Sequence, residues 1–105
     1  MNRPRFIDAT IFLQYLTQDQ ERFKPCLELF KQAEQNSISL VTSETVIVEV
    51  VAVLSSSAHY NLLRQKVQIA LSRLLLLPGL KVQYRNVLLR ALALFGKEAL
   101  AFEDC

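Results

Sequence analysis

Apolar residues recur at helical spacing in five stretches of the chain, with short apolar runs between them. The clearest helix is predicted over residues 59–77, where apolar side chains three or four positions apart face one way and polar ones the other. Similar spacing predicts four more helices, at residues 10–16, 19–35, 43–55 and 85–96. Three apolar runs predict short strands, at residues 5–9, 38–41 and 80–82.

Polar residues, proline and glycine indicate where these helices begin and end. Thr10 is placed to cap the first helix and Asp19 the second. Pro25 leaves two alternatives for the second helix, a kink or a later start near Pro25, because an interior proline costs about 3 kcal/mol. Pro78 follows the fourth helix, and Gly96 is predicted to end the fifth.

The segment 43–55 carries conflicting signals. Its many β-branched residues favour a strand by propensity. However, Thr42 or Ser43 offers an N-cap, Glu44 suits a first helical turn, and almost no turn residues separate the segment from the preceding strand. We therefore predict a buried helix here.

The alternation of strands and helices predicts the fold class. Strands separated by helices of roughly ten residues or more form βαβ crossovers and a parallel sheet. Parallel sheets bury both faces, so their strands are short and apolar, as these are. We predict a helix-rich α/β fold with a short parallel sheet, in a single domain over residues 1–105.

The rare residue types exclude several kinds of chemistry. The two glycines, Gly79 and Gly96, cannot form a glycine-rich phosphate-binding loop. One histidine (His59) and two cysteines (Cys26 and Cys105) are too few for a four-ligand zinc site, and no serine-elbow motif accompanies the histidine. Any catalysis must therefore depend on carboxylates.

Cysteine usage and hydropathy bear on location. Two cysteines far apart in the chain form no disulfide framework, which indicates a reducing, cytoplasmic setting. The apolar run 45–54 contains Glu49 and falls short of the ~20 residues that span a bilayer. No export signal is present at the start of the sequence. We expect a cytoplasmic protein with no membrane partner.

Charge is distributed unevenly, although the net charge is only +2. Residues 50–97 contain seven lysines and arginines and no acid. Such asymmetry fits a surface that meets phosphate or an acidic partner. A solvated basic surface explains it equally well.

Three acids fall where a metal site could form. Asp8 ends the first predicted strand, and ligands of open α/β sheets bind beyond the carboxyl ends of strands. Glu49 lies among valines in the predicted buried helix, where a lone carboxylate is costly unless it is paired or metal-bound. Asp104 lies beside Glu103 in residues 101–105, which resemble the opening of another helix. Three such carboxylates would bind Mg²⁺ or Mn²⁺, which activates water and neutralises a phosphodiester.

Each candidate also has a purely structural interpretation. Asp8 could cap a helix or occupy a turn, and Glu49 could face a neighbouring basic residue. Asp104 could be a solvated acid near the chain end. His59 is expected to start or cap a helix, with no catalytic role.

Three stretches carry a resemblance to a known family. They read F-I-D-A-T-I-F-L-Q-Y-L-T at 6–17, L-V-T-S-E-T-V-I-V-E-V-V-A-V-L at 40–54, and L-P-G-L through R-A-L-A-L-F to A-F-E-D-C at 77–105. Their order and spacing are similar to those of the PIN-domain family, and of its VapC-type toxins in particular. Those toxins are metal-dependent ribonucleases of bacterial toxin–antitoxin pairs. The resemblance covers nearly the whole chain.

The resemblance implies a three-layer fold whose five-stranded parallel sheet brings four acids around Mg²⁺. By position, Asp8 matches the first acid, Glu49 the second and Asp104 the third. Thr10 stands where relatives often have a polar accessory residue. The implied substrate is single-stranded RNA, and the implied protein partner is a cognate antitoxin.

The chain departs from the family pattern after the third acid. The sequence stops at Cys105, before the C-terminal strands and the fourth acid, and Ala101 stands where relatives often carry Asp. Without the fourth strand, the first strand becomes a sheet edge with unpaired backbone groups. We therefore expect a C-terminally truncated PIN-like domain that is marginally stable, forms a homo-oligomer, or belongs to a longer parent.

The leading hypothesis is a PIN-like, Mg²⁺-dependent endoribonuclease, with Arg64, Arg85 and Arg90 among its candidate RNA contacts. The main alternative is a non-catalytic PIN remnant that binds a protein partner through its apolar helices, supported by the aliphatic run 71–80. A helical structural protein whose acids are incidental is the third possibility.

Overall fold

The computed structural model describes residues 3–56 and 63–97. Its eight elements, in chain order, are β1 (Arg5–Phe6), α1 (Ala9–Leu16), α2 (Phe23–Glu34), β2 (Leu40–Thr42), α3 (Glu44–Ser55), α4 (Arg64–Leu75), β3 (Leu80–Val82) and α5 (Arg85–Lys97). The helix-rich α/β class is thereby confirmed. None of the helices in this part of the chain has the length and apolar character needed to cross a membrane.

The three described strands form one parallel sheet in the order β1-β2-β3. Helices α1 and α2 connect β1 to β2, and helices α3 and α4 connect β2 to β3. These are the predicted crossovers, with β2 in the centre. Among the described strands, β1 lies at an edge.

The two faces of the sheet differ in burial. Leu40 and Leu80 are register partners, and both are completely buried. In the next register row, Phe6 pairs with Val41 and Val41 with Lys81. Phe6 and Lys81 are exposed and Val41 is half-buried. Successive residues of a strand point to opposite faces, so the described residues cover one face and leave the other partly open. The prediction that both faces are buried is wrong for this row.

The start of α1 differs from the prediction in its capping residue. Asp8, not Thr10, is the N-cap, and its Oδ1 accepts the backbone N–H of Thr10 at 3.1 Å. Both residue types cap helices well, so the sequence pattern could not decide between them. The helix therefore begins two residues closer to the end of β1, at Ala9.

Helix α2 begins at Phe23, so Pro25 lies in its first turn and causes no interior break. Asp19 caps the turn that precedes this helix. Its Oδ1 accepts the N–H groups of Glu21 at 3.0 Å and Arg22 at 2.9 Å. The predicted cap residue is thus confirmed as a cap, but of the turn before the helix.

Helix α3 confirms that capping outweighs β propensity in this segment. Ser43 Oγ accepts the N–H of Val46 at 3.2 Å, which satisfies a donor of the first turn. The helix then buries five apolar side chains against the core: Val46, Ile47, Val50, Val51 and Leu54.

Helices α4 and α5 pack against each other over most of their length. Helix α4 begins at Arg64, after an N-cap residue, Leu63, whose backbone is extended. The helix predicted from residue 59 therefore starts later than predicted, and residues 59–62 themselves lie outside the described residues. Helix α5 continues through Gly96 to Lys97, so the predicted stop at Gly96 is wrong. A Cβ at Gly96 would lie 3.2 Å from Cβ of Gln68, so this glycine permits the close approach of the two helices.

The helical spacing of apolar residues in this segment predicts that Val87, Leu88, Ala91, Leu94 and Phe95 face inward, and this prediction is partly wrong. Leu88 is buried as predicted, and Leu92 is buried although it was not predicted to be. Val87 and Leu94, predicted to point inward, are 57% and 44% exposed. Because α5 packs along one stripe only, apolar residues beside that stripe remain at the surface.

Candidate functional site at the carboxyl ends of the strands

The carboxyl ends of the three parallel strands lie at one edge of the sheet, where α1, α3 and α5 begin. Parallel sheets bind ligands at this edge. A cleft of about 640 Å³ opens here. Its described lining residues are Phe6, Val41, Thr42, Ser43, Lys81, Val82, Gln83 and Arg85.

Asp8 is held at this edge by backbone and side-chain hydrogen bonds around it. The preceding residue, Ile7, is buried and donates its N–H to the carbonyl oxygen of Val41 at 2.9 Å. Thr42 Oγ1 donates to the Ile7 carbonyl oxygen at 3.0 Å. Asp8 itself is exposed, and its cap on α1 uses Oδ1. The carboxylate is therefore anchored by one oxygen and accessible to solvent.

Thr42, for which the sequence suggests only a role as a helix cap, holds the residue that precedes Asp8. Among the described residues, Thr42 is the one polar or charged residue that is buried, with 4% of its surface exposed. Its hydroxyl joins the end of β2 to the segment that leads from β1 to Asp8. A threonine that ends an apolar strand was the available signal, but strand register was needed to interpret it.

Glu49 is exposed on α3, which corrects the expectation that it is a buried carboxylate among valines. The five buried side chains of α3 form one stripe along the helix. Glu49 lies away from that stripe at the helical spacing of 3.6 residues per turn, so its side chain meets solvent. Helix α3 packs against α1, the helix that Asp8 caps. No ion pair of Glu49 with a basic residue is found within residues 3–56 and 63–97. Solvent accessibility removes the burial argument for a metal but leaves the carboxylate free to bind one.

The third predicted ligand, Asp104, lies outside the described residues, as do His59 and the helical stretch predicted at 101–105. Among the residues that are described, no group of three or more His, Cys, Asp or Glu side chains could hold a metal ion. Thr10 is exposed in the first turn of α1, with its N–H on Asp8. Two of the three predicted ligands, Asp8 and Glu49, and the accessory residue Thr10 thus lie within the described residues, and none of them is among the residues that line the cleft.

The three candidate RNA-contacting arginines have different surroundings. Arg64 Nε donates to the Phe95 carbonyl oxygen at 2.7 Å, and its guanidinium lies 3.8 Å from the centre of the Phe95 ring. Arg64 therefore joins α4 to α5. Arg85 lines the cleft and donates to the Leu80 carbonyl oxygen. Arg90 is exposed on α5.

Cys26 is not arranged as a nucleophile. It is buried, and its Sγ lies 3.6 Å from Oε1 of Gln14 as a weak hydrogen-bond donor. Burial raises the pKa of the Cys26 thiol, and Asp19 raises it further while Arg22 opposes the change. The thiol is thus kept protonated, which fits the inference that any catalysis depends on carboxylates.

Comparison with known protein families matches residues 5–105 to the PIN domain. The chain belongs to the PIN-domain family. Neither the curated proteins nor the solved structures contain a match to it. The PIN domain is a nuclease-type fold, generally that of a metal-dependent ribonuclease that binds RNA.

The residues of this PIN domain suit the divalent ion that the family typically uses. Carboxylate oxygens are the preferred ligands of Mg²⁺ and Mn²⁺. Asp8 is fixed through Oδ1 at the end of β1, so Oδ2 remains as a ligand atom. Both Asp8 and Glu49 are exposed, so a hydrated cation has access to them. Their chemistry fits a hard cation, with Asp104 as the further donor that the resemblance implies.

Proposed function

We propose that this PIN-domain protein is a metal-dependent endoribonuclease of the VapC type that cleaves single-stranded RNA. Asp8, Glu49 and Asp104 hold Mg²⁺ or Mn²⁺ in this proposal, and Thr10 is an accessory residue. The observation that carries it is the position of Asp8, an anchored and exposed carboxylate at the end of β1 in a PIN domain.

The chain's own residues have distinct roles in this function. A bound divalent ion supplies positive charge for the phosphodiester and makes water more acidic. Asp8 is oriented for binding because the Thr10 N–H fixes one of its oxygens. Thr42 positions Asp8 through the Ile7 carbonyl oxygen. Glu49 supplies a second carboxylate from α3, the helix that packs on α1.

The proposal extends to location and partners. As a toxin of this type, the chain acts in the cytoplasm as a single domain, and a cognate antitoxin protein inhibits it. Its support is the resemblance of residues 6–17, 40–54 and 77–105 to VapC-type toxins. Self-association is part of the same proposal, and β1 supports it because it is an edge strand among the strands that the structure describes.

Cleavage of a labelled single-stranded RNA during a Mg²⁺ or Mn²⁺ titration tests the activity. Asp8→Asn keeps the helix cap, because asparagine caps as well as aspartate, yet it removes the charge. We expect cleavage to fall by at least about a hundredfold, because weaker binding of the cation removes positive charge that stabilises the reacting phosphate. Glu49→Gln and Asp104→Asn should behave similarly, whereas Asp19→Asn, which changes an exposed acid before α2, should not. Cleavage that is unchanged in Asp8→Asn would reject the assigned site.

A second candidate function is a non-catalytic module that binds a protein partner. The observation that favours it is the number of large apolar side chains exposed in the second half of the described chain. They are Leu63, Ile69, Leu76, Tyr84, Val87 and Leu94. Where such side chains adjoin one another, the surface they form marks an interaction site. Only the nuclease requires a divalent ion, so metal binding separates the two functions.

A further inference from the structure

One row of side chains crosses the open face of the sheet. Phe6 of β1, Val41 of β2 and Lys81 of β3 are register partners, so they project from the same face. Phe6 is 62% exposed, Val41 is half-buried and Lys81 is exposed. The row therefore presents an aromatic ring, an aliphatic surface and a cation side by side.

The cleft that contains this row is basic. Lys81 and Arg85 line it, and none of its described lining residues is an acid. Arg85 is fixed there, because its guanidinium donates to the Leu80 carbonyl oxygen. Arg85 thus contributes a guanidinium whose position in the cleft is set by the protein itself.

Two helix N-termini add to the positive potential of the cleft. Helix α3 begins directly after Ser43, and α5 begins at Arg85, both of which are lining residues. The N-terminus of a helix favours anions, phosphate groups in particular. Glu44 offsets part of this potential at α3, so Lys81 and Arg85 supply most of the positive charge.

An exposed aromatic ring beside cations is what proteins use to bind single-stranded nucleic acid. Bases stack on the ring, and the backbone phosphates follow the basic groove. A base in a duplex is already stacked on both sides, so an unpaired base suits Phe6 better. An acidic peptide would use the cations but would leave the Phe6 ring without a specific partner.

We propose that this cleft is a nucleotide subsite for single-stranded RNA, in which Phe6 stacks on a base and Lys81 binds a neighbouring phosphate. Arg85 lines the same cleft and adds to its positive charge. The inference rests on the proposed ribonuclease function and adds a place for the RNA beside the reacting phosphate. Asp8 follows Phe6 by two residues, so the subsite adjoins the segment that carries the candidate metal ligand.

Fluorescence anisotropy of a labelled single-stranded RNA of about ten nucleotides tests the subsite, with EDTA present so that no cleavage occurs. Phe6→Ala should weaken binding by roughly 5- to 100-fold, because one stacking contact is lost. Phe6→Tyr should bind like the wild type, because the ring is kept. Leu76→Ala, which truncates another exposed apolar side chain, is the matched control and should have no effect.

Charge reversal tests the phosphate contact. Lys81→Glu should weaken binding and reduce the slope of log affinity against log salt by at least about 0.7, the share of one phosphate contact on a single strand. Lys66→Glu makes the same charge change on the exposed side of α4, away from the cleft, and should leave the slope closer to that of the wild type.

The same assay separates this inference from the nuclease proposal. Asp8→Asn should bind RNA normally in EDTA, even though it should not cleave. If Phe6 and Lys81 govern binding but no metal-dependent cleavage occurs, the nuclease proposal fails and the RNA subsite stands. If Asp8-dependent cleavage occurs while Phe6→Ala and Lys81→Glu bind as the wild type does, the subsite is overturned. Absence of RNA binding by the wild type would overturn it as well.

Discussion

Two neighbouring register rows of the same three strands differ in how deeply their side chains are buried. One row contains Leu40 and Leu80, which are completely buried, with the exposed Arg5 beside them on β1, and the next contains Phe6, Val41 and Lys81 beside an open cleft. A shift of a single residue separates them. Strand periodicity thus lets the central and third strands of this short sheet bury side chains on one face and leave the other face beside the cleft.

Apolar residues in the two rows also contribute differently to the stability of the fold. Leu40 contacts the core on all sides, whereas Phe6 keeps most of its surface in water. Burial, not hydropathy, determines what a side chain contributes to stability. Phe6 is therefore available for binding at little cost to the fold.

The largest effect is expected in the buried row. Leu40→Ala should lower the free energy of unfolding by about 2–5 kcal/mol, because it leaves a cavity in the core. Phe6→Ala should change it by about 0.5 kcal/mol or less. Urea denaturation of both variants measures the difference. Equal destabilisation would show that the two rows are not distinct.

The next largest loss of stability is expected from a substitution at Gly79, just before β3, because backbone atoms pack tightly around this end of the strand. A Cβ at Gly79 would lie 2.5 Å from the Ile38 carbonyl oxygen and 2.7 Å from that of Ala33. Gly79→Ala should therefore shift backbone and cost about 3 kcal/mol in the free energy of unfolding.

Gly96→Ala is the matched control for that substitution. Its Cβ would meet only the flexible side chain of Gln68, and alanine is the better helix former by about 1 kcal/mol. We expect a change of about 1 kcal/mol or less by the same denaturation. A Gly96→Ala variant as unstable as Gly79→Ala would contradict the difference between the two contacts.

Thr42 lies in the following register row, paired with Val82, and is expected to show a smaller effect on stability. Thr42→Val removes the donor to the Ile7 carbonyl oxygen and should cost about 1–2 kcal/mol. It should also reduce kcat of RNA cleavage more than KM, because Asp8 loses its positioning. Thr42→Ser keeps the hydroxyl and should restore kcat. Failure of serine to restore it would assign Thr42 a packing role alone.

Cys26 gives the smallest effect, one that depends on pH. Burial raises the pKa of its thiol, so the folded chain holds a proton that the unfolded chain releases above the ordinary thiol pKa of 9.0. This contribution is complete below that pKa and is lost as pH rises through the raised value.

The comparison is between the wild type and Cys26→Ala, unfolded at about pH 7 and about pH 10. The free energy of unfolding should fall more in the wild type, while every other titrating group affects both proteins alike. Parallel declines would show that the thiol has an unperturbed pKa.

Much of the fold was predictable because local signals agreed with tertiary packing. The Ser43 cap outweighed the β-branched residues of α3, and the strands followed their apolar runs. The exceptions are helix boundaries that depend on a neighbouring residue. Gly96 remains in α5 because Gln68 packs on it, and Asp8 rather than Thr10 caps α1.

The candidate site was predictable only in part. The place of Asp8 followed from its position at the end of a strand, but the burial of Glu49 was misjudged because periodicity alone did not say which side of α3 meets solvent. The cleft was missed altogether. Its residues come from three strands, and only the register places Phe6 beside Val41 and Lys81.

Calorimetric titration with Mn²⁺ tests the central claim, that Asp8 is a ligand of the metal on which the proposed nuclease depends. The wild type should bind the ion, and Asp8→Asn should bind it at least about tenfold more weakly, since even residues behind the ligands cost that much when changed. Asp19→Asn should bind like the wild type. Equal Mn²⁺ affinity in the wild type and Asp8→Asn would contradict the account.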